Sequence, residues 1–437
     1  GLRSLDLSDC VAVKRAGIAA IGRRATALET LSLRGCSRVC GADLAELAGC
    51  QGLTSLNAAV TGGDLRWRFM HHPSDADMAP ALRRLKGLTK LDLARCKAFR
   101  GGGDLMLALE GLSSLQSLSL AYALREATSS DDSESNSEDS EGEGDDEHAD
   151  RVYRQNLTLD SNQFMGFLAR SAAAACLTSL DLDGSPLGDE GVAHLAGCQQ
   201  LESLSLGCCG VLTDKAMETV GGLRGIRYLN LSAMTRLGDV GLGHLSSLPN
   251  LRSLILSECT GIQGEALASL PLSLTRLDLS WCTEVRRRHL EAAMIRLSVR
   301  GRLNTLDVRQ CVAVGGGALD AICSTVTLRH LLVPSCAGVM DEGLRGLTGL
   351  TRLETLDLNW CGKVSDETMT VLGKMPSLTS LNISMTKVRD AGATKLQGCN
   401  LQELFVGGLE LGRETVAGLR AKLPGLVLHG VIEFEER

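Results

Sequence analysis

A nine-residue pattern, Leu-x-x-Leu-x-Leu-x-x-Cys, recurs along most of this 437-residue chain and limits its possible folds more than any other feature. Copies that end on cysteine open at Leu2, Leu28, Leu88, Leu201, Leu251, Leu274, Leu303, Leu328 and Leu353. Copies that replace the cysteine open at Leu53, Leu115, Leu177, Ile226, Leu378 and Leu401, and residues 423–431 form a degenerate last copy. This self-similarity predicts a repeat architecture with about fifteen copies and a C-terminal cap.

The spacing within one copy predicts a strand, a turn and a helix. In the copy that opens at Leu328, Leu331 and Val333 alternate as in a strand with one buried face. Leu344, Leu347 and Leu350 follow at helical spacing. Because one such unit cannot bury its own apolar face, neighbouring copies must stack. We therefore predict an α/β fold, a right-handed leucine-rich-repeat solenoid (horseshoe) with a parallel sheet on its concave face and helices on its convex face. Helix N-caps are expected at Asp189, Asp214, Asp341 and Asp366.

Two insertions divide the repeats into three predicted segments. Residues 1–122 are N-terminal copies with a loop insertion near 60–80, and residues 156–437 are C-terminal copies with the cap. Residues 123–155 form an acidic insertion that cannot bury a core and is expected to be disordered. Eleven acidic residues and no Lys or Arg lie in 128–150, which leaves 45 basic against 41 acidic residues elsewhere. The tract is interpreted as a solvated spacer, or as a substrate of acidophilic kinases at Ser129, Ser135 and Ser140.

Most of the sixteen cysteines fall at one fixed position of the repeat. Stacked copies would align them in a column, where a small apolar side chain fills the layer and a weak S–H donor meets a backbone carbonyl. We expect them to be reduced, which favours a cytoplasmic or nuclear location. No signal peptide is visible, and no run of eighteen apolar residues predicts a membrane span.

The cysteine position and the helix starts at 189–192 and 341–344 are the marks of a known kind of repeat. In these features the chain resembles F-box/leucine-rich-repeat proteins and the F-box-less antagonist-of-mitotic-exit group. The resemblance implies a substrate-recognition component of an SCF-type (cullin) ubiquitin ligase, acting in ubiquitin-dependent protein catabolism. The chain has no segment similar to an F-box. Gly1 lies inside a repeat, so the chain is expected to be a fragment whose missing N-terminal segment would bind the cullin-ligase adaptor.

A protein ligand is expected on the concave face, where residues between and just after the strand leucines point. Exposed tryptophans and arginines carry interface energy more often than other residues. The predicted partner-binding residues are Tyr122, Arg276, Asp278, Trp281, Asp307, Arg309, His330, Asp357, Asn359 and Trp360. The aspartates carry little weight, because repeats of this kind also use them for local reasons.

A histidine pair and an arginine cluster could be binding sites, but in both cases a purely structural role is the main interpretation. His71 and His72 have no Cys or acidic partner at zinc spacing, so a metal site there is disfavoured. Arg286, Arg287, Arg288, Arg296, Arg300 and Arg302 would decorate an outer helix whose Leu290, Met294 and Leu297 face inward. A solvated face is the main interpretation of these arginines, and a docking site for an acidic partner or for the acidic tract is the alternative.

No motif of an enzyme is present: there is no phosphate-binding P-loop, no His-Glu-x-x-His and no Gly-x-Ser-x-Gly. We predict a monomeric, non-enzymatic scaffold without cofactor or metal, which binds neither nucleic acid nor membrane. The alternative function is a structural or regulatory scaffold of flagellar or immune type with no ligase link. A GTPase-activating repeat protein is disfavoured, since its repeats are longer and carry asparagine where these carry cysteine.

Overall fold

The computed structural model describes residues 1–59, 75–96, 103–124 and 161–431. Contacts divide the chain into two compact units, Gly1–Ile226 and Arg227–Arg437. Both units are built from one kind of layer, in which a three-residue strand leads through a turn into one or two short helices. Each unit is a leucine-rich-repeat solenoid, as predicted.

In the first unit, the described residues form seven parallel strands that follow one another in chain order. The strands are β1 Ser4–Asp6, β2 Thr30–Ser32, β3 Ser55–Asn57, β4 Lys90–Asp92, β5 Ser117–Ser119, β6 Ser179–Asp181 and β7 Ser203–Ser205. The α-helices are α1 Arg15–Arg24, α2 Gly41–Leu44, α3 Asp75–Leu82, α4 Gly103–Glu110, α5 Ser161–Leu168, α6 Asp189–Ala193 and α7 Ala216–Gly222. Short 3-10 helices span Ala45–Gly49, Ala172–Ala175 and His194–Gly197.

Most of the predicted acidic insertion lies outside the described residues, as do the loop at 60–74 and the histidines at 71 and 72. Ala123 and Leu124, at the predicted start of the insertion, are described and buried. Strands β5 and β6, which flank the insertion in sequence, pair directly, with Ser117 opposite Ser179. The insertion therefore lies within one unit. The division of the chain into three segments at residues 122 and 156 stays a prediction.

The second unit contains nine strands in the described part of the chain, again in chain order and parallel. They are β8 Tyr228–Asn230, β9 Ser253–Ile255, β10 Arg276–Asp278, β11 Thr305–Asp307, β12 His330–Leu332, β13 Thr355–Asp357, β14 Ser380–Asn382, β15 Glu403–Phe405 and β16 Val427–His429. The α-helices are α8 Asp239–His244, α9 Arg287–Arg300, α10 Gly317–Cys323, α11 Asp341–Leu344, α12 Asp366–Leu372, α13 Asp390–Ala393 and α14 Arg413–Lys422. Its 3-10 helices span Leu245–Ser247, Glu265–Ser269, Arg345–Gly349 and Thr394–Gly398. Strand β16 is the predicted C-terminal cap.

The core lies between the sheet and the helices of each unit, and leucine is its most frequent residue. Strand register places each central leucine beside its equivalents, as Leu277 lies between Leu254 and Leu306. Leu328, Leu331 and Val333 on the strand side and Leu344 on the helix side are fully buried. Each such side chain contributes about 1.5–3 kcal/mol on burial, so the leucine columns hold the layers together.

The repeat cysteines form the predicted column. In seven layers the thiol donates a hydrogen bond of 3.0–3.4 Å to the carbonyl of the third apolar position in the preceding layer. These cysteines are Cys36, Cys96, Cys209, Cys259, Cys282, Cys336 and Cys361. All sixteen cysteines of the chain are free thiols. Ser185 takes the same position, but its buried hydroxyl finds no hydrogen-bond partner.

The predicted N-caps are wrong in detail. Asp189, Asp341 and Asp366 are the first residues of their helices, and the N-cap positions belong to Gly188, Met340 and Ser365. The Asp341 carboxylate instead accepts hydrogen bonds from the Ser365 and Thr368 amides, at 2.9 and 3.2 Å, in the next layer. Asp189 bonds to Thr213, and Asp366 to the Arg389 amide, in the same manner. A first-turn side chain faces the free amides of the neighbouring helix, so these aspartates join layers and do not close their own helices.

Replacing Ser185 by cysteine should stabilise the protein by about 1 kcal/mol, because a buried unpaired hydroxyl is costly and a thiol is not. Urea unfolding followed by circular dichroism measures the change. Ser171→Cys is the matched control, since the buried Ser171 hydroxyl does donate a 2.7 Å hydrogen bond, to the Leu168 carbonyl, and its loss should destabilise. Equal effects at both positions would show that the missing hydrogen bond at Ser185 has no energetic consequence.

Asp341→Asn should destabilise the second unit by about 2 kcal/mol at pH 7, since the interlayer hydrogen bonds lose the carboxylate charge and one of the two acceptor oxygens. Burial raises the pKa of Asp341, but hydrogen bonds from Thr368 and Ser365 outweigh it, and the pKa is lowered overall. A lowered folded-state pKa means that the stabilisation is complete at neutral pH and is lost as the pH falls below about 4. In urea titrations the difference from wild type should therefore stay constant down to about pH 4 and shrink below it. Glu342→Gln, which removes an exposed carboxylate at the next position, is the control.

Candidate protein-binding surface

Each strand ends in a turn whose backbone is the same in almost every layer. The residue before the cysteine position has a left-handed backbone, as in Arg95, Tyr122, Cys208, Trp281 and Trp360, with φ between 54° and 61°. Its amide donates to a carbonyl of the next layer, for example from Trp281 to Arg309 at 2.8 Å and from Trp360 to Ser384 at 3.0 Å. The backbone ladder thus continues past the strands and holds these side chains in fixed positions.

A side-chain hydrogen bond shapes the entrance of the same turn. The Asp or Asn that closes a strand accepts from the amide two residues later. Such a bond makes an Asx-turn, which guides the chain towards the left-handed residue. In the second unit this applies to Asn230, Asp278, Asp307, Asp357 and Asn382.

Three carboxylates that were predicted to bind a partner, those of Asp278, Asp307 and Asp357, instead accept these hydrogen bonds within the chain. Asp278 and Asp307 are only 9% and 4% exposed. Asp278 also accepts from the Ser280 hydroxyl at 2.7 Å. Burial raises the pKa of Asp357. The three carboxylates are therefore used within the chain to form turns, and little of them faces solvent.

Arg309 lies among these carboxylates on the face of the sheet. It contacts both Asp307 oxygens, with Nη2 at 2.6 Å from Oδ2 and Nε at 3.0 Å from each oxygen. This hydrogen bond raises the pKa of Arg309. Its side chain is still 43% exposed, so a ligand can reach its outer edge, although one bidentate face is already occupied.

Trp281 and Trp360 are the largest exposed apolar side chains near these residues, at 48% and 60% exposed. They lie in the turns that follow β10 and β13, with the turns of Gln310 and Ser335 between them. Strands three layers apart are about 15 Å apart along a sheet. An open pocket of about 700 Å³ lies beside Trp360 and includes Gln310, Ser335, Lys363 and Lys387 in its lining.

The remaining predicted residues of the second unit surround the tryptophan turns. Arg276 is exposed on β10, and His330 on β12 has Nδ1 at 3.1 Å from the Thr355 hydroxyl. Asn359 precedes Trp360, and its side-chain oxygen is buried without a hydrogen-bond partner. Nine of the ten predicted residues thus lie on β10–β13 and the turns that follow them.

Tyr122 lies in the first unit, in its own cluster. Its ring packs against Gly184, where an added Cβ would be 2.2 Å from the nearest ring carbon. On the ring face lies the guanidinium of Arg95, with its central carbon 5.4 Å from the ring centroid. A hydrogen bond with the exposed Cys208 thiol, together with burial, raises the pKa of Tyr122 to about 12. Glycine at 184 is therefore required by the space that the Tyr122 ring fills, and it adopts the left-handed backbone of the turn without strain.

Within residues 1–59, 75–96, 103–124 and 161–431, no group of three or more metal-ligating side chains comes together. Over the same residues, no helix has both the length and the apolar character needed to cross a bilayer. The arginine-rich helix is α9, in which Leu290, Met294 and Leu297 are buried as predicted.

Comparison with known proteins supports the fold. A family model described as Leucine Rich repeat matches residues 173–196 and 374–396, which include β6 with α6 and β14 with α13. The chain is similar to the leucine-rich-repeat protein LIC12759 of Leptospira interrogans, at 15% identity and a TM-score of 0.51 over 98% of this chain and 95% of that chain. It is also similar to TLR13 in the TLR13–ssRNA13 complex, at 16% identity and a TM-score of 0.54, covering 98% of this chain and 52% of TLR13. An internalin (inlF) of Listeria monocytogenes str. 4b F2365 matches at 16% identity and a TM-score of 0.48, with 98% of each chain covered. Each unit thus has the fold of a leucine-rich-repeat solenoid, and two segments of the chain match the repeat itself.

The sequence pattern locates the tryptophans but does not give the conformation of their turn. Trp281 and Trp360 are predicted just after the strand leucines, and they lie three residues beyond the strand with a left-handed backbone. Gly35, Gly184 and Gly408 occupy the same repeat position and also have positive φ. Glycine at this position was the available signal, because glycine commonly marks a left-handed backbone.

Cysteine labelling should distinguish the exposed Cys208, in this turn, from the buried cysteines of the column. Burial raises the pKa of Cys209, Cys259 and Cys336 to about 12. At pH 8 only about one in 10,000 of these thiols is then ionised, and alkylation requires the thiolate. Iodoacetamide should modify the exposed Cys208 within minutes and the three buried cysteines only after urea is added, as followed by peptide mass spectrometry. Labelling of Cys209 at the rate of Cys208 in the native protein would contradict the buried column.

Proposed function

We propose that the chain is a non-enzymatic protein-recognition module whose partner binds the turns that follow β10–β13 in the second unit. The observation that carries the proposal is the pair of exposed tryptophans, Trp281 and Trp360. Tryptophan is strongly enriched among the residues that dominate interface energies. Because hydrogen bonds to the next layer already fix both turns, little backbone entropy is lost when a partner binds.

The surroundings of Trp360 suggest the chemistry of the partner. Lys363 and Lys387 line the pocket beside the indole, and Gln310 and Ser335 add neutral polar groups. A partner segment with an apolar side chain for Trp360 and a nearby carboxylate for the lysines would complement this surface. Arg276 and the outer edge of Arg309 would bind further acceptors towards Trp281.

The proposed cellular role is substrate recognition for an SCF-type (cullin) ubiquitin ligase. Its support is the resemblance of the repeats to those of F-box/leucine-rich-repeat proteins, including the cysteine position. Free cysteines throughout the chain favour a reducing compartment, so we propose a cytoplasmic or nuclear protein that acts as a monomer. A regulatory or structural scaffold without a ligase is the alternative.

The double variant Trp281→Ala/Trp360→Ala should lose its protein partner while remaining folded. Each tryptophan at the centre of an interface contributes about 2 kcal/mol or more, so the affinity should fall by at least roughly 30-fold for each substitution. The tagged full-length protein is purified from its own cells, and co-purifying proteins are quantified by mass spectrometry. Val240→Ala, at an apolar residue 73% exposed on α8 of the same unit, is the control.

The pattern of loss distinguishes the two roles. A ligase receptor should retain the cullin and its adaptor at near-stoichiometric levels in the wild type and in both variants, and should lose its substrates only in the tryptophan variant. Absence of cullin from all three samples would reject the ligase role and leave the scaffold. Equal partner recovery with the tryptophan variant and the wild type would reject the proposed surface itself.

A further inference from the structure

A second candidate surface lies at the opposite edge of the sheet in the second unit, where the chain enters β9, β10 and β11. Arg252 immediately precedes β9, and Arg300 ends helix α9. Arg302 follows in the loop to β11. The three arginines line a groove of about 500 Å³ together with Asn250, Ser273 and Thr275, which we call the arginine groove.

The walls of the arginine groove are fixed by hydrogen bonds. The Ser273 hydroxyl donates to the Leu251 carbonyl at 2.7 Å, and the Thr275 hydroxyl donates to the Arg252 carbonyl at 3.0 Å. Arg296 ties helix α9 to the preceding layer by donating to the Leu270 carbonyl at 2.6 Å. Two neighbouring layers and the end of α9 are thus joined around the groove, so its shape does not depend on a ligand.

The charges in the groove lack internal compensation. Other arginines of this unit have carboxylate partners: Arg309 pairs with Asp307, Arg329 with Glu354 and Arg345 with Glu367. Across residues 161–431, no carboxylate forms an ion pair with Arg252, Arg300 or Arg302, and all three are exposed. Three like charges that share one groove repel one another, and a bound anion would relieve this repulsion.

The guanidinium groups of the groove indicate which kind of anion would bind. The planar guanidinium presents paired N–H donors that match the oxygens of a phosphate, and clusters of arginine recognise phosphorylated side chains. Single-stranded nucleic acid is bound by a basic track with aromatic side chains on which bases stack, and a duplex is bound through a row of many phosphate contacts. The groove residues include no aromatic side chain, and the groove has room for a single phosphate with a short length of peptide.

We propose that the arginine groove binds a phosphorylated serine or threonine side chain of a protein partner. The site is separate from the tryptophan turns, because it lies where the strands begin and the tryptophans lie where they end. It therefore does not depend on the function proposed for Trp281 and Trp360.

Fluorescence anisotropy with the full chain at 150 mM salt tests the proposal. The probe is a labelled nonapeptide of otherwise neutral residues with a central phosphoserine, and the same peptide with Ser or Glu in its place serves for comparison. The phosphoserine peptide should bind at least about tenfold more tightly than either, and Arg300→Gln/Arg302→Gln should remove that advantage. The matched control is Arg286→Gln/Arg287→Gln, which removes the same charge from exposed arginines outside the groove.

The control variant and Trp281→Ala/Trp360→Ala should both bind the phosphopeptide within about twofold of the wild type. Equal weakening by the two arginine double variants would mean general charge attraction and would overturn the proposal. Equal binding of the Ser or Glu peptide would also overturn it, since phosphate would then not be the recognised group. A labelled uridine dodecamer that binds more tightly than the phosphopeptide, and loses affinity with Arg300→Gln/Arg302→Gln, would assign the groove to nucleic acid instead.

Discussion

The fold depends on one constraint: the apolar face of each layer can be covered only by another layer. A strand of three residues and a helix of four to fourteen residues have too little surface to enclose a core by themselves. Stacking solves this only if every layer repeats the same backbone. The leucine columns, the cysteine column and the ladder of turn hydrogen bonds all follow from that repetition, because each element meets its equivalent one layer away.

The left-handed turn connects this constraint to binding. The stacking geometry imposes a positive φ on the residue before the cysteine, at a cost of roughly 1–2 kcal/mol for a residue with a side chain. Glycine meets the requirement without that cost at Gly35, Gly184 and Gly408. A tryptophan at the same position bears the cost and also exposes a large apolar surface. Stability alone does not favour it there, and this is the reason for proposing that a partner binds at Trp281 and Trp360.

The sequence predicts what a single layer determines and misses what two layers determine together. The strands, the inward leucines, the buried position of the cysteine and the cap at β16 follow from residue type and spacing within one copy. The role of Asp341 could not be predicted, because its acceptor bonds go to Ser365 and Thr368 of the next copy. The arginine groove was predicted only in part: Arg300 and Arg302 belong to the arginine cluster seen in the sequence, but Arg252 is fifty residues from Arg302 and joins them only through the register of β9, β10 and β11.

The parallel sheet also explains why the second unit has two chemically different edges. In a parallel stack every strand begins at one edge and ends at the other, so a repeat position always returns to the same edge. The turn positions gather Trp281, Trp360 and Lys387 where the strands end, and the entry positions gather Arg252 and Arg302 where they begin. The three residues of each strand separate the two sets of positions. A solenoid of this kind can therefore acquire a second binding surface without altering the first.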